Sequence, residues 1–382
     1  MVITDLSVNY IYVTLFAEPS TVTSTLEVHS SMKFGILFTS QPNPDTEPYP
    51  HREVHERVKR EVIAADRLGY DYAWIAEHHV STKYGIMPDP MTFIAHLAPL
   101  TERIRLGTAV MTLPLQNVLR LAENAALVDI LTGGRLMLGV GSGYRKYEFD
   151  ALNANFDARR DIQVEALEVL MTMLTEHRVD HTGDHLSFKV GGDYEILPHS
   201  LQTPYPPLYM AAASEQSIGL GARFGLGLLL STLMPFGEVA GVAEFYRGQC
   251  EQTDPKYAQN PGFGDIDVAR FVYVADTDAK AKAESEEGIL RHVSSFTQGQ
   301  TSGYLGTVNA GDKQFYSESD YDKLTQETIL HGSPETVVDR IKELQQRTGA
   351  TSLMLHFPPY YGPERTAATI ELFAESVIPK FQ

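Results

Sequence analysis

The sequence predicts a (β/α)₈ barrel, and three observations predict it. Eight short apolar runs alternate with helical patterns from Met32 to the end of the chain. One of them, Tyr72–Ala76, is apolar throughout and bounded by polar residues, which suits a strand covered on both faces. Strands separated by helical crossovers pair in parallel with right-handed connections, and eight such units close into a barrel better than they form an open sheet. A chain of 382 residues is not too long for one such domain, and nothing after Met32 reads as a linker, so residues 32–382 are expected to form a single domain.

Phe34–Phe38 is the first expected strand. "REVHERVKREVIAADRLG" follows as a helix, with Val54, Val58, Val62 and Ala65 on one face and Gly69 as its stop. Tyr72–Ala76 is the second strand, and "DPMTFIAHLAPLT" a short helix with an Asp cap and Pro90 in its first turn. "RIRLGTAVMTLP" is the third strand, and "NVLRLAENAALVDILTGG" a helix closed by two glycines. "RLMLGVGSG" is the fourth strand, with the long helix "DARRDIQVEALEVLMTMLTEH" after it. "PPLYMAAAS" and "LGLLLST" flank the helix "SEQSIGLGARFG"; "FGEVAGVAEFYRGQCEQ" leads to "DVARFVYVAD". "TSLMLHF" and the helix "ERTAATIELFAESVIPKF" finish the pattern.

Three stretches depart from it. Residues 1–31 carry an apolar "NYIYVTLFAEP" without a positive leader and a Ser/Thr-rich "TVTSTLEVHSS", and are expected to be a poorly ordered extension. Residues 295–330 are rich in Gly, Ser, Asp and Tyr, the composition of a long insertion or covering loop. A smaller excursion, "RVDHTGDHLSFKVGGDYEILPHSLQTP", precedes the fifth strand.

With 31 Lys and Arg against 49 Asp and Glu, the net charge is −18, a field that repels phosphate backbones and anionic membranes, so no nucleic-acid or membrane partner is expected. Cys250 is the only cysteine, which excludes an intramolecular disulfide and fits a reducing, cytoplasmic setting. It reads as a buried structural thiol. No run approaches the ~20 apolar residues of a membrane span.

Three motifs stand at expected strand ends, where α/β barrels place their chemistry. "GVGSGY" (Gly139–Tyr144) reads G-x-G-x-G, so it is not the dinucleotide fingerprint; it either approaches a phosphate or only permits a tight turn. In "AAASEQS" (Ala211–Ser217), Ser214 caps a helix whose start suits an anion, although an ordinary N-cap has the same pattern. Glu77-His78-His79 closes the second strand. Neighbouring strand residues face opposite ways, so one His is expected at the barrel mouth and the other away from it, which argues against a shared metal. H-E-x-x-H spacing is absent, and no metal site is expected. One inward His is a candidate for proton transfer; a rim histidine bonded to backbone is the plain alternative.

"GILFTSQ", "ADRLGYDYAWIAEHHVSTKYG", "RIRLGTAVMTLPLQNVLRLAENAALVDILTGGRLMLGVGSGYRKYEF" and "PPLYMAAASEQSIGLGARFGLGLLLS", in that order, resemble the bacterial luciferase-like family of flavin-dependent monooxygenases, which are TIM barrels. The resemblance runs from Met32 to the C-terminus, where "GSPETVVDRI" and "FAESVIPKF" are similar in style. It implies His78 as the catalytic histidine beside the flavin, Glu148 as a second catalytic residue that matches an acidic position in the fourth-strand loop, and Glu77 among the cofactor-binding residues. It implies a non-proline cis peptide at Ala109–Val110 under the flavin ring, and Ser142, Gly143, Tyr144, Ala213, Ser214 and Ser217 around the FMN phosphate. Two positions depart from the luciferase pattern: Ser142 replaces an arginine, for which Arg145 or Tyr144 is placed to compensate, and Ala213 replaces a glutamate.

The implied activity is oxygenation of a small organic substrate by FMNH₂ and O₂ through a flavin C4a-hydroperoxide. A separate flavin reductase and a homodimer are the implied partners. Two alternatives remain: a deazaflavin-dependent oxidoreductase of the same superfamily, and a non-catalytic flavin-binding protein.

Overall fold

The computed structural model describes residues 31–81, 84–297 and 320–382; residues 1–30 of the expected extension at 1–31 and the centre of the expected insertion, 298–319, lie outside the described residues. Eight parallel strands close on themselves. They are β1 (Lys33–Phe38), β2 (Tyr72–Ile75), β3 (Arg105–Thr112), β4 (Leu136–Gly141), β7 (Leu208–Ala211), β8 (Gly227–Leu230), β9 (Ile266–Val274) and β11 (Ser352–His356). They neighbour one another in that order; β11 returns to β1 in the register Lys33↔Ser352 to Leu37↔His356, and β8 pairs with β9. The expected TIM barrel is therefore present.

The caps follow the sequence. Gly69 stops α1 (Pro50–Leu68) at φ 96°, and the Asp89 carboxylate accepts from the Thr92 N–H at the start of α2 (Pro90–Leu97). Asn117 caps α3 (Val118–Leu131). Four described helices were not anticipated: α4 (Lys146–Ala151), too short for a periodic pattern, α8 (Asp278–Thr297), whose charged surface dilutes its apolar stripe, and the helices at Tyr321–Glu327 and Pro334–Thr348. The small excursion contains an antiparallel hairpin, β5 (Val179–Thr182) with β6 (Ser187–Val190). The two ends of the expected insertion at 295–330 carry regular structure. Helix α8 runs into its near end, a helix at Tyr321–Glu327 occupies its far end, and β10 (Leu330–Gly332) then pairs with β9.

Helices and strand outer faces bury the larger apolar cluster, while the barrel interior holds its own, built on Tyr72, Trp74, Met137, Tyr209 and Met354. Trp74 is fully buried, and Gly107 on β3 makes room for it, because a Cβ there would overlap the indole ring. Truncating such a side chain costs roughly 3–5 kcal/mol. The packed interior forces ligand chemistry up to the C-terminal strand ends. Among the described residues no helix is long and apolar enough to cross a membrane.

Candidate active site

A cavity of about 380 Å³ opens at the C-terminal ends of the strands, within the range of small-molecule and cofactor sites. Its floor is apolar: Leu37, Val110, Ala211, Leu229, Ala269 and Met354 come from six different strands. The Ala109–Val110 peptide bond is cis, as the resemblance implies. Gly141 on β4 sits against it, where a Cβ would stand 2.7 Å from Val110 Cγ2.

One wall carries the Glu-His-His segment. β2 ends at Ile75, before the triplet, yet the side chains still diverge. Glu77 and His78 line the cavity, whereas His79 turns away, with Nε2 3.4 Å from Glu77 Oε1. That carboxylate raises the His79 pKa above its ordinary value. Both Glu77 oxygens are already engaged: Oε2 accepts from the Thr112 N–H and Oε1 from Gln116 Nε2, each at 2.7 Å. Glu77 thus braces the end of β3 rather than offering a free carboxylate.

His78 is buried, and its Nδ1 lies 3.1 Å from Glu148 Oε1, an oxygen that also accepts the His79 backbone N–H. Burial lowers the His78 pKa, against the pull of Glu148. Burial works to raise Glu148, but the His78 hydrogen bond, the His79 N–H and the Arg145 charge outweigh it and leave Glu148 below its ordinary value. An ionised carboxylate only accepts, so Nδ1 carries the proton and Nε2 keeps a lone pair. The pair is a neutral imidazole oriented by a carboxylate, the arrangement that proton transfer requires.

The chain then folds back over His78. The His78 N–H donates to Met87 O (2.9 Å), the Ile86 N–H to Ser40 O (3.2 Å), and the Tyr84 ring meets the imidazole edge-on at 4.8 Å. Gly85 permits this approach, since a Cβ there would overlap the Thr39 carbonyl oxygen.

The opposite wall is built for an anion. Ser214 caps α6 (Glu215–Arg223) in a capping box: its Oγ accepts from the Ser217 N–H, and Ser217 Oγ accepts from the Ser214 and Ala213 N–H groups. Helix starts favour negative charge. Arg159 and Arg160, at the start of α5 (Arg159–Glu176), line the same cavity. Arg159 Nε is buried and unpartnered, while its Nη1 donates to Phe156 O. Burial, followed by repulsion from Arg160, lowers the Arg159 pKa. Ser142, Gly143 and Tyr144 complete this side. Gly143 has φ 71°, and a Cβ would fall 2.7 Å from Thr112 Cγ2.

All the anticipated site residues, His78, Glu148, Glu77, Ala109, Val110, Ser142, Gly143, Tyr144, Ala213, Ser214 and Ser217, line this one cavity. Of the two residues expected to compensate for the missing arginine, Tyr144 lines the cavity and Arg145 is buried outside its lining; Arg159 and Arg160, not anticipated, line it too. Their only sequence signal is a double arginine opening a helix.

Comparison with known proteins agrees with this geometry. The family model described as luciferase-like monooxygenase matches residues 32–352. The uncharacterized protein y4vJ of Sinorhizobium fredii is 33% identical over 220 residues, a match spanning 58% of this chain and 61% of that protein. A 4-hydroxyprotoasukamycin monooxygenase from Streptomyces nodosus subsp. asukaensis is 27% identical, over 83% of this chain and 84% of its own. Among solved structures, the oxygenating constituent of 3,6-diketocamphane monooxygenase from Pseudomonas putida, in complex with FMN, aligns with a TM-score of 0.75 at 22% identity, covering 92% of this chain and 98% of that one. The coenzyme F420-dependent tetrahydromethanopterin reductase from Methanopyrus kandleri has the same fold, with a TM-score of 0.67 at 21% identity over 92% of this chain and 100% of that one. The barrel, its mouth and the family match together place this chain in the luciferase-like monooxygenase family.

Proposed function

We propose that this chain is the oxygenating component of a two-component monooxygenase that uses reduced FMN and O₂ on a small organic substrate. The observation that carries the reading is the pairing, across one cavity, of an anion-seating wall with a neutral histidine held by a carboxylate. The residues fit the cofactor: the buried, unpartnered Arg159 Nε and the α6 start suit one terminal phosphate. In this reading Arg159, Arg160, Ser214 and Ser217 hold that phosphate, with Tyr144 and the Ser142–Gly143 backbone alongside. Ala109 and Val110 support the ring system, and Glu77 keeps the end of β3 in place beneath it.

Bound reduced FMN supplies activation of O₂ and transfer of one oxygen atom. His78 Nε2 takes up or returns a proton at the reacting edge, and Glu148 holds the tautomer that leaves Nε2 available. The apolar floor excludes water. The cavity floor is apolar, and its two carboxylates, Glu77 and Glu148, are both engaged in hydrogen bonds, which suits an uncharged and mainly apolar substrate.

The same reading includes reduced flavin delivered by a separate reductase. It also includes a homodimer, supported by the exposed apolar Leu127, Ile130 and Leu131 on α3; sedimentation velocity showing only monomer removes that part.

The shared fold with an F420-dependent reductase supports a second reading, deazaflavin-dependent hydride transfer. Anaerobic equilibrium dialysis separates the two. Tighter binding of reduced FMN than of FAD or F420 is expected; a clear preference for F420 overturns the proposal in favour of the second reading.

A further inference from the structure

Arg145 is one of the most unusual residues in the molecule. It is 2% exposed, and among the described residues no carboxylate stands within ion-pair distance of it. Instead its guanidinium lies over aromatic rings: 4.1 Å from the centroid of Tyr84, 4.8 Å from Tyr144 and 6.0 Å from Tyr147. A buried cation without an ion-paired partner is costly, and stacking on ring faces offsets part of that cost. The phosphate does not explain its position, because Arg159 and Arg160 line the cavity and Arg145 does not.

What the cage does touch is the histidine. Tyr84 is held between two partners: Arg145 over its ring and His78 against it. The segment carrying Tyr84 is pinned to His78 and Ser40 by the backbone bonds of Met87 and Ile86, so the ring has little freedom to leave. Glu148 lies three residues after Arg145, at the first turn of α4, and binds the other side of the imidazole. Arg145 therefore reaches His78 through the Tyr84 ring, while Glu148 holds the imidazole at Nδ1.

We propose that Arg145 is a positioning residue which, through Tyr84 and through its charge beside Glu148, fixes the His78 ring and holds it neutral against an ionised carboxylate. The charged and titratable groups around His78 are Glu148 on α4, Arg145 before it, Glu77 and His79 on its own segment, and Tyr84 after it. Of these, Arg145 is the one permanent cation. Its charge favours the neutral imidazole and opposes the pull of Glu148 and Glu77. Without it, the carboxylates gain influence, the ring protonates at higher pH, and Nε2 loses its lone pair over more of the working range.

This inference rests on His78 being the proton-transfer group, but its test does not depend on turnover or on bound flavin. The His78 ring signal is followed by NMR across pH in the apo protein with isotope-labelled histidine rings, assigned by its loss in His78→Gln. Arg145→Met is expected to move the His78 midpoint upward by roughly half a pH unit or more. Arg145→Lys, which keeps the charge, is expected to stay near the wild-type midpoint. Tyr84→Leu is expected to broaden or shift the His78 signal by freeing the ring. An unchanged or lowered midpoint in Arg145→Met overturns the proposal. So does failure of both arginine variants to fold, which would make Arg145 a folding residue alone. Anaerobic FMN binding within about twofold of wild type in Arg145→Met keeps the Proposed function separate from this outcome; loss of FMN binding would place Arg145 in the anion wall and overturn the assignment.

Discussion

Glu148 and Asp267 are both buried carboxylates in the same barrel, and their fates differ. Asp267, near the N-terminal end of β9, accepts from Trp74 Nε1 (2.9 Å) and Tyr72 OH (3.0 Å) within the packed interior. Burial, only partly countered by those neutral donors, pushes it up to about 7. Glu148, at the mouth, meets an imidazole, a backbone N–H and the field of Arg145, and is held below its ordinary value. Burial alone therefore does not make a carboxylate functional. The mouth adds an open cavity, a titratable partner and a cation, and only that combination leaves an ionised group orienting a neutral base.

The largest expected effect separates the two ends directly. Removing a positioned acid–base group typically costs ~10²–10⁴ in rate, so His78→Ala should lose that much single-turnover oxygenation while still binding FMN. His79→Ala should keep far more, because His79 faces Glu77 rather than the cavity. Equal losses would mean that the two side chains do not divide the work as their positions indicate.

Within the mouth, the anion wall gives the next effects. Arg159→Ala removes a charged donor worth roughly 1.5–3 kcal/mol, so anaerobic FMN titration should show an affinity loss of about 10–100-fold. Arg160 is more exposed, and its loss should weaken binding less. Ser214→Ala should cost roughly 1–2 kcal/mol of FMN binding, since cap and anion seat coincide there. A fall in thermal stability with unchanged affinity would reduce Ser214 to an ordinary cap.

A further effect, on stability and not on flavin, lies at the packed end. A carboxyl raised in the fold stabilises the protein at pH below its unfolded value, and that contribution is lost as pH rises through the folded value. Asp267 should therefore cost the wild type stability between about pH 4 and the folded value of about 7. Urea melts of Asp267→Asn should be flatter over that span, by up to about 1.4 kcal/mol per pH unit. Parallel pH profiles for the two proteins would show that Asp267 is not the neutral interior group described.

The barrel was legible because most strands are short, mainly apolar runs that alternate with helical patterns. Among the elements that escaped, the three residues of β10 and the six of α4 show no periodicity, whereas α8 is long but its charged surface dilutes its apolar stripe. His78 stood out as an ionisable residue ending an apolar run, and Glu148 was reached through family resemblance. Arg159 was hidden because barrel closure, not local pattern, brings the start of α5 beside the start of α6. The Arg145 cage draws on Tyr84, Tyr144 and Tyr147, and the register between the β2 and β4 loops that joins them cannot be read from either stretch alone.

The central claim is that the carboxylate–histidine pair at the mouth, and not the buried carboxylate below it, governs flavin oxidation. Stopped-flow mixing of FMNH₂-loaded protein with aerated buffer tests it directly. Wild type and Asp267→Asn should show a lag before the oxidised-FMN spectrum appears, and His78→Ala should lose or sharply shorten it. Immediate oxidation in the wild type, or an equal lag in all three proteins, would contradict the account.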